Sequence, residues 1–199
     1  MRLKKIVVVA GIILSLMPLV FFLSISQAKI IADKKLGNMN YLADDLLFSG
    51  DVALVHGQYE WNDTSKDHVF VSYAIWYTGQ YVYGDFNHDG LKDAVVIYAE
   101  NGGGSAEWYR VGFLINDGKK LVHRASGELC DRAIVNSLRQ KNGKVFVDVF
   151  VHEDGDSMAG PTKHVKRIFE YRENARWIEG KELSAKSVFD PIRLVFAHR

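Results

Sequence analysis

Hydrophobic positions fall along this chain in three regimes. Ile6 to Leu23 is a run of 18 residues without a charge. Between Lys29 and Gly50, Met39, Leu42, Leu46 and Leu47 recur mostly at three- to four-residue spacing. That period predicts a short N-terminal helix, with Asn38 or Asn40 as its cap and Gly50 as its stop. Downstream the period changes to two. Val69, Val71, Tyr73, Ile75 and Tyr77 alternate with Phe70, Ser72, Ala74 and Trp76, so both faces are largely apolar, as in a central strand covered on both sides. Further strands are predicted at Gln80–Gly84, Ala94–Tyr98, Trp108–Ile115, Leu121–Arg124, Ala133–Leu138, Val145–Val151, Arg167–Arg172 and Arg176–Glu179.

Turn chemistry separates these runs. Asn116-Asp117-Gly118 and Asn142-Gly143 are hairpin signals, because those residues tolerate the positive φ that tight turns require. Within Val145–Val151 the valines 145, 147, 149 and 151 share one face, and Phe146, Asp148 and Phe150, with His152 just beyond, share a wetter one. Many short strands with frequent hairpins predict an all-β domain, a mostly antiparallel sheet or sandwich with the short N-terminal helix. No linker or internal repeat interrupts residues 29–199, which read as one domain.

The uncharged run changes the picture of location. Arg2, Lys4 and Lys5 precede it, Pro18 interrupts it, and Ser26-Gln27-Ala28 offers small residues where a signal peptidase cuts. Residues 1–28 are therefore expected to be a cleaved export signal, with Lys29 as the mature N-terminus and a periplasmic or secreted destination. The alternative is an uncleaved anchor, since a span needs about 20 residues. No cysteine lies near the cleavage region, which excludes a lipid-modified N-terminus.

Composition narrows the chemistry further. The chain of 199 residues carries 25 Lys+Arg against 24 Asp+Glu, and loss of the three basic residues of the signal leaves 22 against 24. That mildly acidic balance gives no reason to expect a nucleic-acid partner, and leaves the signal segment as the only expected link to a membrane. Cys130 is the single cysteine, so no internal disulfide or multi-cysteine zinc site is possible. It reads as a half-buried strand residue.

One motif carries chemistry. Asp85-Phe86-Asn87-His88-Asp89-Gly90-Leu91-Lys92-Asp93 has the pattern D-x-N-x-D-G-x-x-D. A hard cation such as Ca²⁺ takes six to eight oxygens, and alternating Asp and Asn in a tight loop can supply them. The expected ligands are the side chains of Asp85, Asn87, Asp89 and Asp93 with the backbone carbonyl of Leu91. Gly90 permits the bend, and His88 should point outward. Val96 stands where an EF-hand would need a bidentate Glu, so the loop is a different type. The alternative is a metal-free turn held by Asx hydrogen bonds.

With its following apolar strand, this loop resembles the calcium loops of FG-GAP and VCBS-like repeats. A longer stretch, Tyr83 through Lys163, resembles a family of uncharacterised bacterial exported proteins and lipoproteins that carry one such loop. Gly102-Gly103-Gly104-Ser105, Phe113-Leu114-Ile115-Asn116-Asp117, Asp131-Arg132-Ala133-Ile134-Val135 and Asn142-Gly143-Lys144-Val145-Phe146-Val147-Asp148 carry that likeness. The resemblance implies an exported β-domain and no assigned activity. Relatives often have Gly where Cys130 stands, and a Cys-containing proline turn where Met158-Ala159-Gly160-Pro161 stands, so no thiol role carries over. A single unrepeated loop argues against a β-propeller, which needs at least four blades.

Weaker signals have structural readings. Asn101 to Ser105 lacks the Lys and helix of a phosphate loop and reads as a strand connection. Tyr59, Trp61, Phe70, Tyr73, Trp76, Tyr77, Tyr81 and Tyr83 read as core, with a sugar-stacking strip as the alternative. His152-Glu153-Asp154-Gly155-Asp156 reads as a solvated loop. His123 and His164 stand alone, and no catalytic residue can be assigned. The expected function is that of an exported, non-enzymatic β-domain binding a protein or envelope component. A periplasmic enzyme or enzyme accessory and a glycan-binding module are the alternatives.

Overall fold

The computed structural model describes residues 34–44, 49–63, 71–157 and 160–183. The export signal at residues 1–28, Leu46 and Leu47 of the expected helix, and Phe70 of the aromatic run lie outside the described residues. The strands are β1 (Asn40–Asp44), β2 (Ser49–Ala53), β3 (Gln58–Asp63), β4 (Val71–Gly84), β5 (Asp93–Asn101), β6 (Trp108–Asn116), β7 (Leu121–Asp131), β8 (Ile134–Lys141), β9 (Lys144–Val151), β10 (Lys163–Glu170) and β11 (Lys181–Glu182). Every strand pair is antiparallel. β1 and β2 form a hairpin, β3-β4-β5-β6-β7 a five-stranded sheet, and β11-β10-β9-β8 a four-stranded one. The sheets are open, neither a closed barrel nor propeller blades.

The five-stranded sheet is the middle layer. On one face Val95, Ile97, Val111, Phe113, Ala125 and Leu129 pack against Val145, Val147, Val149, Val165 and Phe169 of the four-stranded sheet. On the other, Tyr73, Ile75, Ala94, Val96 and Tyr98 pack against Tyr41, Ala43, Val52 and Leu54 of the β1–β2 hairpin. The strand buried on both faces is therefore β5, every residue of which from Asp93 to Glu100 is buried. β4 lies one place nearer the edge and has half-buried positions. It also runs on through Gly79 with a register shift between Tyr77 and Tyr81, merging two expected strands into one.

Most turns follow the sequence pattern. Asn142 (φ 53°) and Gly143 (φ 72°) link β8 to β9 in the double positive-φ geometry of a tight hairpin. The four valines of β9 face the core as their alternation requires. Arg176 to Glu179 forms a single parallel bridge, Trp177 to Ser126, instead of a strand.

The N-terminal region departs most from its sequence pattern. The described helical part is Lys34–Leu36 alone, and Met39 and Leu42 belong to the approach to β1 and to β1 itself. Tyr41 and Ala43 face inward with Val52 and Leu54, a period of two too short to outweigh the three- to four-residue spacing around it. Asn38 does not cap a helix start. Its side chain donates to the Lys34 carbonyl at 2.6 Å, at the end of the helical turn. Gly50 (φ 144°) lies within β2.

Candidate functional site

The loop from Asp85 to Lys92 joins β4 to β5. Phe86 anchors it: its ring is buried in the first core and meets Phe113 edge to face at 5.8 Å. Gly84 leaves room for that ring, since a Cβ there would lie 2.9 Å from Phe86 Cζ. His88 (φ 62°) is exposed, as its even position predicts, and packs over the β8–β9 turn. A Cβ on Gly143 would lie 2.7 Å from its Cε1. The loop thus rests on both sheets.

Within the loop the oxygens of the motif turn toward the backbone. Asp85 Oδ1 accepts from the Asp89 amide and Oδ2 from the Gly90 amide, both at 3.1 Å. Asp89 Oδ1 accepts from the Leu91 amide at 2.7 Å, and Oδ2 from the Asn87 side-chain amide at 2.7 Å. Asn87 Oδ1 accepts from the Asp89 amide at 3.3 Å. Asp93, the first residue of β5, is completely buried. Its two oxygens accept from the amides of Phe86 and Asn116 at 2.8 Å, tying the loop start and the end of β6 to the central strand.

This is the hydrogen-bonding of an Asx-turn loop. Among the described residues, no three His, Cys, Asp or Glu side chains are grouped to hold a metal ion. Asp93 is drawn into the core, away from the exposed Asp89, and Asn87 supplies an amide where a further carboxylate would sit. In donor chemistry the set does fit a hard cation: all candidate atoms are oxygens, and an oxygen accepting one N–H keeps a second lone pair. The Leu91 carbonyl takes no hydrogen bond among the described residues. Nor do Asp85, Asp89 or Asp93 form any ion pair among the described residues. The nearest basic neighbour in sequence, Lys92, places its Nζ 4.1 Å from the centroid of the Tyr83 ring.

A cleft of about 830 Å³ opens beside the loop. Asn87, His88 and Asp89 line it together with Arg124, Glu173 and Arg176. At its inner end His123 is 4% exposed and fully committed. Its Nδ1 accepts from the Leu42 amide at 2.9 Å, and its Nε2 lies 3.1 Å from the Ala125 carbonyl and from Ser126 Oγ. Burial, with Arg176 nearby, pushes its pKa down to about 3. Ser126 continues the chain of contacts to the Tyr98 hydroxyl at 2.8 Å.

A second buried polar group lies on the same face of the middle sheet. Arg110 Nε is 2.9 Å from Glu100 Oε1, and the Tyr73 hydroxyl donates to Glu100 Oε2 at 2.8 Å. The Trp177 ring covers the Arg110 guanidinium at 4.8 Å. Sequence inspection misses this pair and the His123 contacts, because each depends on cross-strand register. The only signal is a charged residue within an otherwise apolar run.

The weaker motifs take structural roles. Asn101 organises the glycine-rich connection: its side chain donates to the carbonyls of Gly104 and Ala106 and accepts from the Gly103 amide. Asp156 clamps the second acidic turn by accepting from the Thr162 hydroxyl and from the Glu153 and Thr162 amides, which holds its carboxyl below the usual range. Tyr73 is buried, and Tyr59, Trp61, Tyr77, Tyr81 and Tyr83 pack against the second core cluster. Cys130 is half-buried with its thiol pKa raised by burial, the opposite of an activated nucleophile. His164 is not isolated in space, since its Nε2 lies 2.7 Å from Asp148 Oδ1.

No helix among the described residues is long and apolar enough to cross a membrane. Comparison with family models, with curated proteins and with solved structures finds no match to this chain.

Proposed function

We propose that this protein is an exported, non-enzymatic β-domain, stabilised by one Ca²⁺ in the Asp85–Asp93 loop, that works by binding a protein or envelope component. The observation that carries the calcium reading is uncompensated charge. Asp85, Asp89 and Asp93 lie within nine residues and form no ion pair among the described residues. A bound cation would supply the counter-charge that no basic side chain supplies to them, once Asp93 and the exposed Asp89 turn toward a common centre. Asp85, Asn87 and Asp89 would supply side-chain oxygens, Leu91 its carbonyl, and Asp93 the closing carboxylate. The three-part N-terminal pattern supports export, and the absence of any catalytic ordering in the sequence supports a binding role.

Thermal unfolding with and without calcium tests the reading. Exposed extracellular-type sites have Kd of about 10⁻⁴ to 10⁻³ M. At about 1 mM free Ca²⁺ the folded state gains roughly 0.4 to 1.4 kcal/mol by mass action. That raises Tm by about 1 to 6 °C over a chelated sample. Asp89→Ala, an exposed change, removes the rise and leaves the protein folded. Wild type and variant melting alike in calcium and in chelator would sink the calcium claim.

A further inference from the structure

The outer face of the four-stranded sheet has a composition that whole-chain charge conceals. Cross-strand register sets its rows. Lys141 lies beside Lys144 and Glu170; Arg139 beside Phe146, Ile168 and Lys181; Ser137 beside Asp148 and Lys166; Ile134 beside Phe150 and His164. The alternating burial of β9 puts these side chains opposite the core valines, on the side away from the five-stranded sheet.

Five Lys or Arg thus share one face with two carboxylates, and both carboxylates are already engaged. Glu170 pairs with Lys144 at 2.9 Å, and Asp148 meets His164 at 2.7 Å and Lys166 at 4.0 Å. Arg139, Lys141 and Lys181 form no ion pair among the described residues and are exposed. Between the cations lies apolar surface: Ile134 is 52% exposed, and Phe146, Phe150 and Ile168 are half-buried. A groove of about 420 Å³ follows this pattern, with Phe146 and Leu183 among its walls and Arg139, Lys141 and Lys166 around it.

From this complementarity we infer that the β8–β11 face docks on an anionic phospholipid bilayer. The five Lys or Arg of the face, three of them free of ion pairs among the described residues, sit at the lower end of the four to eight basic residues in clusters that recognise anionic leaflets. The interleaved Phe and Ile side chains suit the boundary between headgroups and acyl chains, where a nucleic-acid backbone would leave them uncovered. Four strands about 4.8 Å apart present a broad surface, so several cations can reach headgroups together. The inference narrows the envelope-binding reading and rests on it for the partner's location. It uses no residue of the calcium loop, which meets this face only at its edge, where His88 packs over the β8–β9 turn, so either can fail alone.

Lysine footprinting of the full chain tests it. The protein is mixed with phosphatidylglycerol-rich vesicles, with phosphatidylcholine vesicles, and with a short RNA duplex. Acylation is then read by mass spectrometry. Lys141, Lys166 and Lys181 should react about threefold or more slowly on the anionic vesicles alone, while Lys92, Lys119 and Lys120 stay unchanged. About 1 M salt should remove the protection, because it shortens the screening length to about 3 Å. Arg139→Glu with Lys141→Glu, both exposed, should abolish it at Lys166 and Lys181. An N-terminal anchor, whose Arg2, Lys4 and Lys5 also favour the anionic vesicles, would tether the chain without selecting Lys141, Lys166 and Lys181 over Lys92, Lys119 and Lys120. Equal labelling on the two vesicle types, or protection by RNA and not by vesicles, overturns the inference.

Discussion

His123 should make the fold sensitive to acid in a way that one substitution can isolate. Its Nδ1 accepts the Leu42 amide hydrogen, so the ring proton resides on Nε2 and faces the Ala125 carbonyl. A second proton would have to sit on Nδ1, donor against donor. The rings of Tyr41 and Tyr98 stand edge-on to it at 5.4 Å, and the nearby charge is Arg176, which also opposes protonation. The folded pKa of about 3 lies below the ordinary value of 6.5. Stability from the neutral ring is therefore complete above about pH 6.5 and is lost as pH falls toward 3. Each pH unit in that window costs about 1.4 kcal/mol, or about 2 kcal/mol between about pH 7 and pH 5. Urea unfolding across this range should show that loss in the wild type, beyond the smaller contribution of surface carboxylates. His123→Asn keeps an acceptor for the Leu42 amide and removes the titration. It should start less stable and fall less steeply, by about 2 kcal/mol over the same interval. Parallel pH dependence in the two proteins, or a folded-state His123 titrating near 6.5 by NMR, would refute the reasoning.

Two further substitutions probe the frame around the loop. Asp93→Asn replaces one buried acceptor with a donor facing the Phe86 or Asn116 amide. In chelator it should cost about 1–3 kcal/mol in urea unfolding, and a loss under about 0.5 would contradict the clamp. Gly127→Ala puts a Cβ 2.7 Å from Phe169 Cε1 and 2.8 Å from the Ile178 carbonyl. It should destabilise by about 1–3 kcal/mol through overpacking, and an unchanged denaturation midpoint would show that the Phe169 ring and the Ile178 backbone both have room to move.

The parts of this fold that are local in sequence were legible there, and those decided by register were not. Asn142-Gly143 and the valines of β9 each carry their conformation within a few residues. So does the Asp85–Asp93 loop, whose alternating side chains bond to its own backbone. The two-sided burial of β5 was hidden because Asp93 and Glu100 bracket its apolar run. One accepts from the amides of Phe86 and Asn116, the other is ion-paired with Arg110 and accepts from Tyr73, none of them close enough in sequence to suggest it. β1 failed for a related reason: two inward positions cannot establish a period, and its pairing with β2 decides the conformation. The basic outer face could not be seen from a near-zero net charge, because it exists only once β8, β9, β10 and β11 are aligned.

The strand order has a bearing on how the chain assembles. In all three sheets each strand pairs only with its neighbour in sequence. Hairpins can therefore zip successively, without the long loop closures that slow many β-proteins. What cannot be local is the covering of the middle layer. Its two apolar faces need β1 and β2 from the N-terminal side and β8, β9 and β10 from the C-terminal side. A chain that had formed β3 to β7 alone would expose Val95, Ile97, Val111 and Phe113 on one side and Tyr73, Val96 and Tyr98 on the other. The vulnerable moment of folding is thus the interval before the outer layers dock, when self-association competes with completion of the native stack.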